Sequence, residues 1–521
     1  MDSINRRDFL KLSGAAGIAL ATGPQALAAG QAASPAASPA AFPARPNILV
    51  FLTDDHGQWA QHAYGNSELK TPNMDRLAAR GVRMNQAITT CPVCSPARAS
   101  FFTGRMPSQH GISDWINDRQ EPYLQGLTGQ ILLPQLLQKA GYYTGLVGKW
   151  HCGNEREPKP GFDHWFSYWV SQYPHRGKQN FSDQGKHVVE EGQQSPLLTN
   201  HALDFLRAHK ADANVSQKPF FLFVGYVDTH VPHRNAPDDL VAEYQSATFL
   251  DIPDEQPSPC HGIVREGKAS PPGAERQRLR EYYAAASSVD REIGKIVAEL
   301  ETTGQLENTL IVYTGDHGLN TGHHGVWEKG IATLPQNFLE ESVRVACTVS
   351  WPAGGIQQNV VCEDLVGHPD LWATLLDIAG ATPDTQVAAE INSPGRSYLP
   401  QLKGRRVKNP SASHFTEYGN ARMVRTHRYK LILRYPFEGV TYPHELYDRQ
   451  SDPREKVNHY NDSTYQVIVQ DLTTQINTFF AKYSIPGRSG LEIETQPKCN
   501  AYPIWQEAAD RYKKDHAPKP A

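Results

Sequence analysis

The sequence predicts an α/β protein: a large mixed, mostly parallel sheet sandwiched by helices, with a small antiparallel α+β subdomain at the C-terminus. Three observations carry this. Continuous apolar runs with β-branched and aromatic residues recur at Asn47–Thr53, 219–227 and 308–315, and such runs mark strands buried on both faces. Helical patterns separate them, as parallel strands joined by crossovers require. Beyond about Gly380 the pattern changes to short strand-like runs behind a Pro/Gly/Ser-containing stretch, residues 392–404.

In chain order, residues 1–28 read as an export address. Asn5-Arg6-Arg7-Asp8-Phe9-Leu10-Lys11 precedes a weakly apolar run over 12–22 and then Ala26-Leu27-Ala28, a small-x-small cleavage signature. This order resembles a twin-arginine signal, which implies the Tat translocon as a partner and a periplasmic or secreted destination. The apolar run falls far short of the ~20 residues of a membrane-spanning helix, so no stable membrane insertion is expected. Residues 29–45 are mostly Ala, Ser and Pro and predict a flexible tether. A larger domain is expected over 46–385 and a smaller one over 386–521.

Asn47–Thr53 is the first buried strand. Thr71 before Pro72, with Gly81 past the end, predicts a helix over 71–81. Residues 132–140, closed by Gly141, predict another, and 276–300 a longer one; 144–147, 219–227 and 308–315 are further strands. Short strands are expected at 414–418, 423–426 and 429–435.

With 39% hydrophobic and 20% charged residues over 521 positions, the chain has material for a packed interior. Its net charge of −4 gives no general attraction for nucleic-acid phosphates, and no nucleic-acid partner is expected. Seven cysteines do not make a disulfide scaffold, and their odd number leaves at least one unpaired. In an oxidising compartment that thiol must be buried or chemically changed.

Four polar clusters follow buried strands or interrupt apolar surroundings. They are Thr53-Asp54-Asp55-His56-Gly57, Cys91-Pro92-Val93-Cys94-Ser95-Pro96-Ala97-Arg98, Gly148-Lys149-Trp150-His151 and Thr314-Gly315-Asp316-His317-Gly318. A fifth, Asp228-Thr229-His230-Val231-Pro232, ends the 219–227 run. In a parallel sheet such clusters converge beyond the strand ends. Asp54, Asp55 and Asp316 brought together are unfavourable unless a cation neutralises them. An oxygen-rich set with one imidazole suits a hard divalent ion better than zinc. Arg98, Lys149, Lys329, His151 and His230 add positive and donor character for a tetrahedral oxyanion, which suits sulfuryl or phosphoryl transfer. Taken alone, Cys91-x-x-Cys94 also fits a redox pair.

Cys94-Ser95-Pro96-Ala97-Arg98, followed after four residues by Thr103-Gly104, resembles the signature of the type I sulfatases. Gly148-Lys149-Trp150-His151, Gly161-Phe162-Asp163, His230-Val231-Pro232 and Asp316-His317-Gly318 through His324-Gly325 to Lys329 resemble further segments of that family, in the same order. Glu445-Leu446-Tyr447-Asp448 and Asp452-Pro453-Arg454-Glu455 resemble its C-terminal landmarks. The resemblance spans nearly the whole chain after the tether and implies the alkaline-phosphatase-like version of the α/β fold.

It implies that Cys94 is oxidised to formylglycine by a formylglycine-generating or anaerobic sulfatase-maturing enzyme. It also implies that Asp54, Asp55, Asp316, His317 and modified Cys94 hold one calcium ion. Histidine at 317 stands where many members carry asparagine. Arg98 would orient the hydrated aldehyde, and Lys149 and Lys329 would neutralise the sulfate oxygens. His230 would protonate the departing alkoxide, and His151 would deprotonate the remaining hydroxyl to release sulfate. The implied substrate is a sulfated small molecule or glycan. Two rival readings keep the same residues: a phosphonate or phosphate monoester hydrolase, and an inactive sulfated-glycan binder with an unmodified Cys94. Trp165, Phe166, Tyr168, Trp169 and Tyr173, followed by His175, Arg176 and Lys178, read either as core or as a sugar-stacking wall with a second anion site. His56, His110, His323 and His324 read as structural or substrate-lining.

Overall fold

The structure, a computed structural model, describes residues 45–517 apart from 118, 121–122, 170–172, 234–235, 270–275 and 408–409. The expected export signal and nearly all of the tether lie outside the described residues.

Ten strands make the main sheet: Asn47–Thr53 (β1), Val82–Ile88 (β2), Tyr143–Gly148 (β3), His164–Tyr168 (β4), Arg176–Asp183 (β5), Lys186–Gln193 (β6), Phe220–Tyr226 (β7), Thr309–Gly315 (β8), Cys347–Ser350 (β9) and Val360–Gly367 (β10). Their order is β10-β2-β9-β8-β1-β7-β3-β4-β5-β6. Neighbours from β8 through β4 are parallel, as are β10 and β2. The short β9 and the β5–β6 hairpin run antiparallel. This is the mixed, mostly parallel sheet that the sequence predicts.

Successive side chains of β1 point to opposite faces, and every residue of the strand is buried. Ile48, Val50 and Leu52 meet Phe101 and Phe102 of one helix, Cys94–Thr103 (α1), in one core. Leu49 and Phe51 meet Val289, Ile293 and Ile296 of another, Arg276–Thr302 (α2), in a second core on the other face. Two apolar faces therefore demand two helical layers, each buried aliphatic or aromatic side chain contributing about 1.5–3 kcal/mol. The predicted helices appear as Pro72–Ala79 and Leu133–Lys139.

The Gly161-Phe162-Asp163 turn docks on the start of β3. Asp163 Oδ2 accepts from the Thr144 backbone N–H at 2.9 Å, and Gly161 holds φ +90 with no room for a Cβ. The polar hairpin β5–β6 had no apolar signal in the sequence, because it lies at the sheet edge with much of its length exposed.

His414–Tyr418, Ala421–Arg425, Tyr429–Arg434 and Glu445–Asp448 form a four-stranded antiparallel sheet. The C-terminal landmark Glu445-Leu446-Tyr447-Asp448 is thus its last strand. Buried ion pairs tie this sheet to the short helix Glu340–Val343 that precedes β9. Glu340 meets Lys430 Nζ at 2.8 Å, Arg449 Nη2 at 2.8 Å and Arg425 Nη2 at 3.1 Å. Burial raises the Glu340 carboxyl, but Arg425, Lys430 and Arg449 outweigh it and hold it well below the ordinary range. The second landmark supplies Glu455, 2.5 Å from Lys430, and Arg454, 2.6 Å from Glu341. These residues therefore staple the fold. Glu340→Ala strands buried cations and is expected to lower unfolding free energy by about 3–5 kcal/mol. Denaturant titration measures this, and a loss below ~1 kcal/mol would contradict it.

Candidate active site

Four contiguous parallel strands, β8, β1, β7 and β3, end at one edge of the sheet. The register aligns Thr53 with Gly315 and Tyr226, and Gly148 with Gly225, so the four chains leave level with one another. Asp316-His317 follows β8, Asp54-Asp55 follows β1, Asp228 to His230 follows β7, and Lys149 to His151 follows β3. Gly148 takes φ +103, where an added Cβ would lie 2.3 Å from the Gly225 carbonyl oxygen. Glycine is therefore required to bring Lys149 in. Cys94 enters as the first residue of α1, a helix buried along its whole length.

The clusters converge. Lys149 Nζ pairs with Asp54 Oδ2, and Arg98 Nε donates to Asp316 Oδ2 at 2.8 Å. Lys329 Nζ donates to Asp55 Oδ1 at 2.6 Å and lies 3.2 Å from both Cys94 Sγ and His230 Nε2. His317 Nε2 lies 3.3 Å from Asp55 Oδ1, 3.5 Å from Asp316 Oδ1, 3.7 Å from Asp54 Oδ1 and 3.4 Å from Cys94 Sγ. Its Nδ1 bonds the Gly318 carbonyl at 2.9 Å, which leaves the Nε2 lone pair facing the carboxylates in the neutral ring.

Asp54, Asp55, Arg98, Lys149, Asp316 and His317 are all fully buried. Burial raises all three carboxyls. At Asp54, Lys149, His230 and Arg98 overcome it and hold the group well below the ordinary range. Asp55 stays raised, and burial with the Asp54 charge lifts Asp316 to about 6. Burial and Asp54 push the Cys94 thiol up, but Lys149, Lys329 and His317 outweigh them and hold it well down.

Repulsion among buried carboxylates signals a place for a cation. One atom from each of Asp54, Cys94, Asp316 and His317 lies within 4.8 Å of the others, and Asp54, Asp55, Cys94 and His230 form an overlapping group. Among the described residues, Asp54 Oδ1 and Asp55 Oδ2 are buried without a hydrogen-bond partner. Burial lowers the His317 imidazole, but Asp316 and Cys94 outweigh it and raise the group to about 9, so a cation here would take the place of a proton; two unsatisfied carboxylate oxygens beside that ring nitrogen fit a hard divalent one.

Above Cys94 opens a cavity of about 380 Å³ lined by His151, His230, Lys329, Tyr173, Trp115, Asn117, Arg119, Lys268 and Glu328, among others. His151 Nε2 bonds the Ile116 carbonyl at 2.9 Å, and its Nδ1 has no hydrogen-bond partner among the described residues. Tyr173 Oη bonds the His230 ring. All ten residues singled out from the sequence thus belong to this cluster or its cavity. Trp115, Asn117, Arg119, Lys268 and Glu328 had no motif to announce them.

The aromatic stripe divides: Trp165, Phe166 and Tyr168 are core, while Tyr173 lines the cavity. The undecided histidines are not among the residues lining the cavity over Cys94: His56 bonds Ala60 O, His110 contacts Ser100 Oγ, His323 packs on Trp59 and His324 pairs with Glu341. All seven cysteines are unpaired, so Cys91 and Cys94 are not a disulfide.

The fold and this site define a hydrolase of the alkaline phosphatase superfamily. Residues 46–381 match the Sulfatase family, and the chain belongs to it; it is a sulfuric ester hydrolase. Residues 322–482 match the C-terminal region of N-sulphoglucosamine sulphohydrolase, and residues 3–23 the twin-arginine translocation pathway signal sequence. An N-acetylglucosamine-6-O-sulfatase of Bacteroides thetaiotaomicron is 28% identical over 81% of this chain and 84% of its own. The N-acetylgalactosamine-6-sulfatase of Mus musculus is 30% identical over 70% of this chain and 68% of its own. A solved protein in complex with its substrate D-glucosamine-2-N,6-O-disulfate superposes with a TM-score of 0.69 at 25% identity, covering 84% of this chain and 98% of that one. No helix among the described residues is long and apolar enough to cross a membrane.

A divalent cation should raise the thermal midpoint relative to EDTA-treated protein, because a ligand at 100 times its Kd adds about 2.7 kcal/mol. Asp54→Asn is expected to lose most of that increment. A wild type indifferent to calcium, magnesium and manganese in thermal melts would contradict a cation site.

Proposed function

We propose that the protein is an exported, calcium-dependent sulfatase that hydrolyses sulfate esters of carbohydrates with a formylglycine at position 94. The observation that carries this reading is the buried meeting of Asp54, Asp55, Asp316, His317 and Cys94, flanked by Lys149 and Lys329. Asp54, Asp55, Asp316, His317 and residue 94 are the groups that would hold the calcium. Bound calcium supplies the positive charge that polarises a sulfate and favours an ionised oxygen nucleophile. Formylglycine supplies paired hydroxyls in its hydrate, which a thiol lacks.

The chain's own residues do the rest. Lys149 and Lys329, both buried, bring fixed positive charge to the sulfate oxygens where such charges act strongly. Arg98 is fixed between Asp316 and the Lys149 carbonyl, so it orients residue 94 from behind. His230, at the cavity wall with Nε2 beside Lys329, delivers a proton to the departing sugar oxygen. His151, anchored through Nε2, takes a proton at Nδ1 during sulfate release.

The names of the relatives support a sulfated sugar as substrate. A cavity of about 380 Å³ has room for a sugar ring. The twin-arginine match supports a periplasmic or secreted location, with oxidation of Cys94 by a maturing enzyme before translocation through the Tat translocon.

In protein from its native host, mass spectrometry of the peptide holding residue 94 should read ~18 Da below the thiol form. Sulfate release from 6-sulfated N-acetylglucosamine and N-acetylgalactosamine should exceed phosphonate ester hydrolysis. Cys94→Ala should cost ~10⁴-fold or more in turnover and Lys149→Ala about 100- to 1,000-fold, with thermal midpoints little changed. Faster phosphonate turnover, or an intact thiol in active protein, would overturn the reading.

A further inference from the structure

His151 sits at φ +55, a left-handed conformation uncommon for a residue with a Cβ. A buried carboxylate bonds the backbone at this point. Glu155 Oε1 accepts from the His151 backbone N–H at 2.7 Å, and Oε2 lies 3.3 Å from the Trp150 N–H and 2.8 Å from Ser167 Oγ. Two successive N–H groups turned toward one anion make a concave nest, and the anion fixes their peptide planes. Glu155 is itself held, since Trp165 Nε1 donates to its carbonyl at 3.1 Å.

Both ends of the nested turn reach the active site. The Lys149 carbonyl, just before it, accepts from Arg98 Nη1 at 2.9 Å. The His151 ring, at its other end, donates from Nε2 to Ile116 O and lines the cavity over Cys94. We infer that Glu155 is a positioning residue of the sulfatase site, holding the Lys149–His151 turn so that His151 presents Nδ1 to the reacting group. The inference rests on the role assigned to His151 under the proposed function. Glu155 touches neither substrate nor metal in this reading and acts only through the turn.

Glu155→Gln keeps size and one acceptor but turns an N–H₂ toward a backbone donor. It is expected to lower kcat at least tenfold on the best sugar sulfate, with KM within about threefold of wild type and a thermal midpoint within a few degrees. Glu155→Ala, examined by amide hydrogen exchange without substrate, should show at least tenfold faster exchange in the 149–155 peptide and unchanged exchange in β1. Unchanged exchange there, or wild-type kcat in Glu155→Gln, overturns the inference. Equal damage to kcat and KM with a collapsed thermal midpoint also overturns it, since that marks a general structural role. If wild-type enzyme releases sulfate from no ester, the functional reading fails, whereas the exchange result still decides whether Glu155 holds the turn.

Discussion

Three carboxylates buried together at the end of the sheet are the constraint on which the rest of this structure depends. Asp54, Asp55 and Asp316 lie beyond adjacent parallel strands, so the hydrogen-bond register that makes the sheet also makes their repulsion. The protein answers with Lys149 on Asp54, Lys329 on Asp55 and Arg98 on Asp316. Among the described residues, Asp54 Oδ1 and Asp55 Oδ2 remain without a hydrogen-bond partner, and these are the oxygens that the proposed cation would meet. A buried charge left without a partner costs several kcal/mol, so the cluster is an all-or-none assembly.

The same burial sets the chemistry. Every residue of the helix that starts at Cys94 is buried, and the side chain of residue 94 meets Lys329 and His317 at the floor of the cavity. Charges placed there act on a bound anion with little screening. The cavity over Cys94 gives an approach to this group, and its walls carry an indole, an amide and paired charges suited to a polar ring. Among the described residues, the C-terminal sheet contributes no group to the cluster of Asp54, Cys94, Asp316 and His317. Its work is mechanical: Lys430, Arg425 and Arg449 clamp Glu340, and Arg454 clamps Glu341, on the segment that follows Lys329.

Much of this was legible along the chain. A doubly buried strand must be apolar throughout, so Asn47–Thr53, 219–227 and 308–315 announced themselves, and the polar groups at their ends announced an edge site. The family motifs around Cys94, Lys149, His230 and Asp316 were legible because each is a short local string. What a strand shows only on one exposed face is much harder to read, and the β5–β6 hairpin went unseen for that reason.

The sequence by itself therefore determined the fold class, the charged clusters and their place at strand ends, because periodicity and local motifs encode all three. Only the tertiary structure decided which lysine faces which aspartate, that Tyr173 leaves an otherwise buried aromatic stripe to meet His230, and that Glu155 grips the turn carrying His151. Those pairings join residues through packing and hydrogen bonds in three dimensions, and neither composition nor spacing records the direction in which a side chain points once the strands are registered.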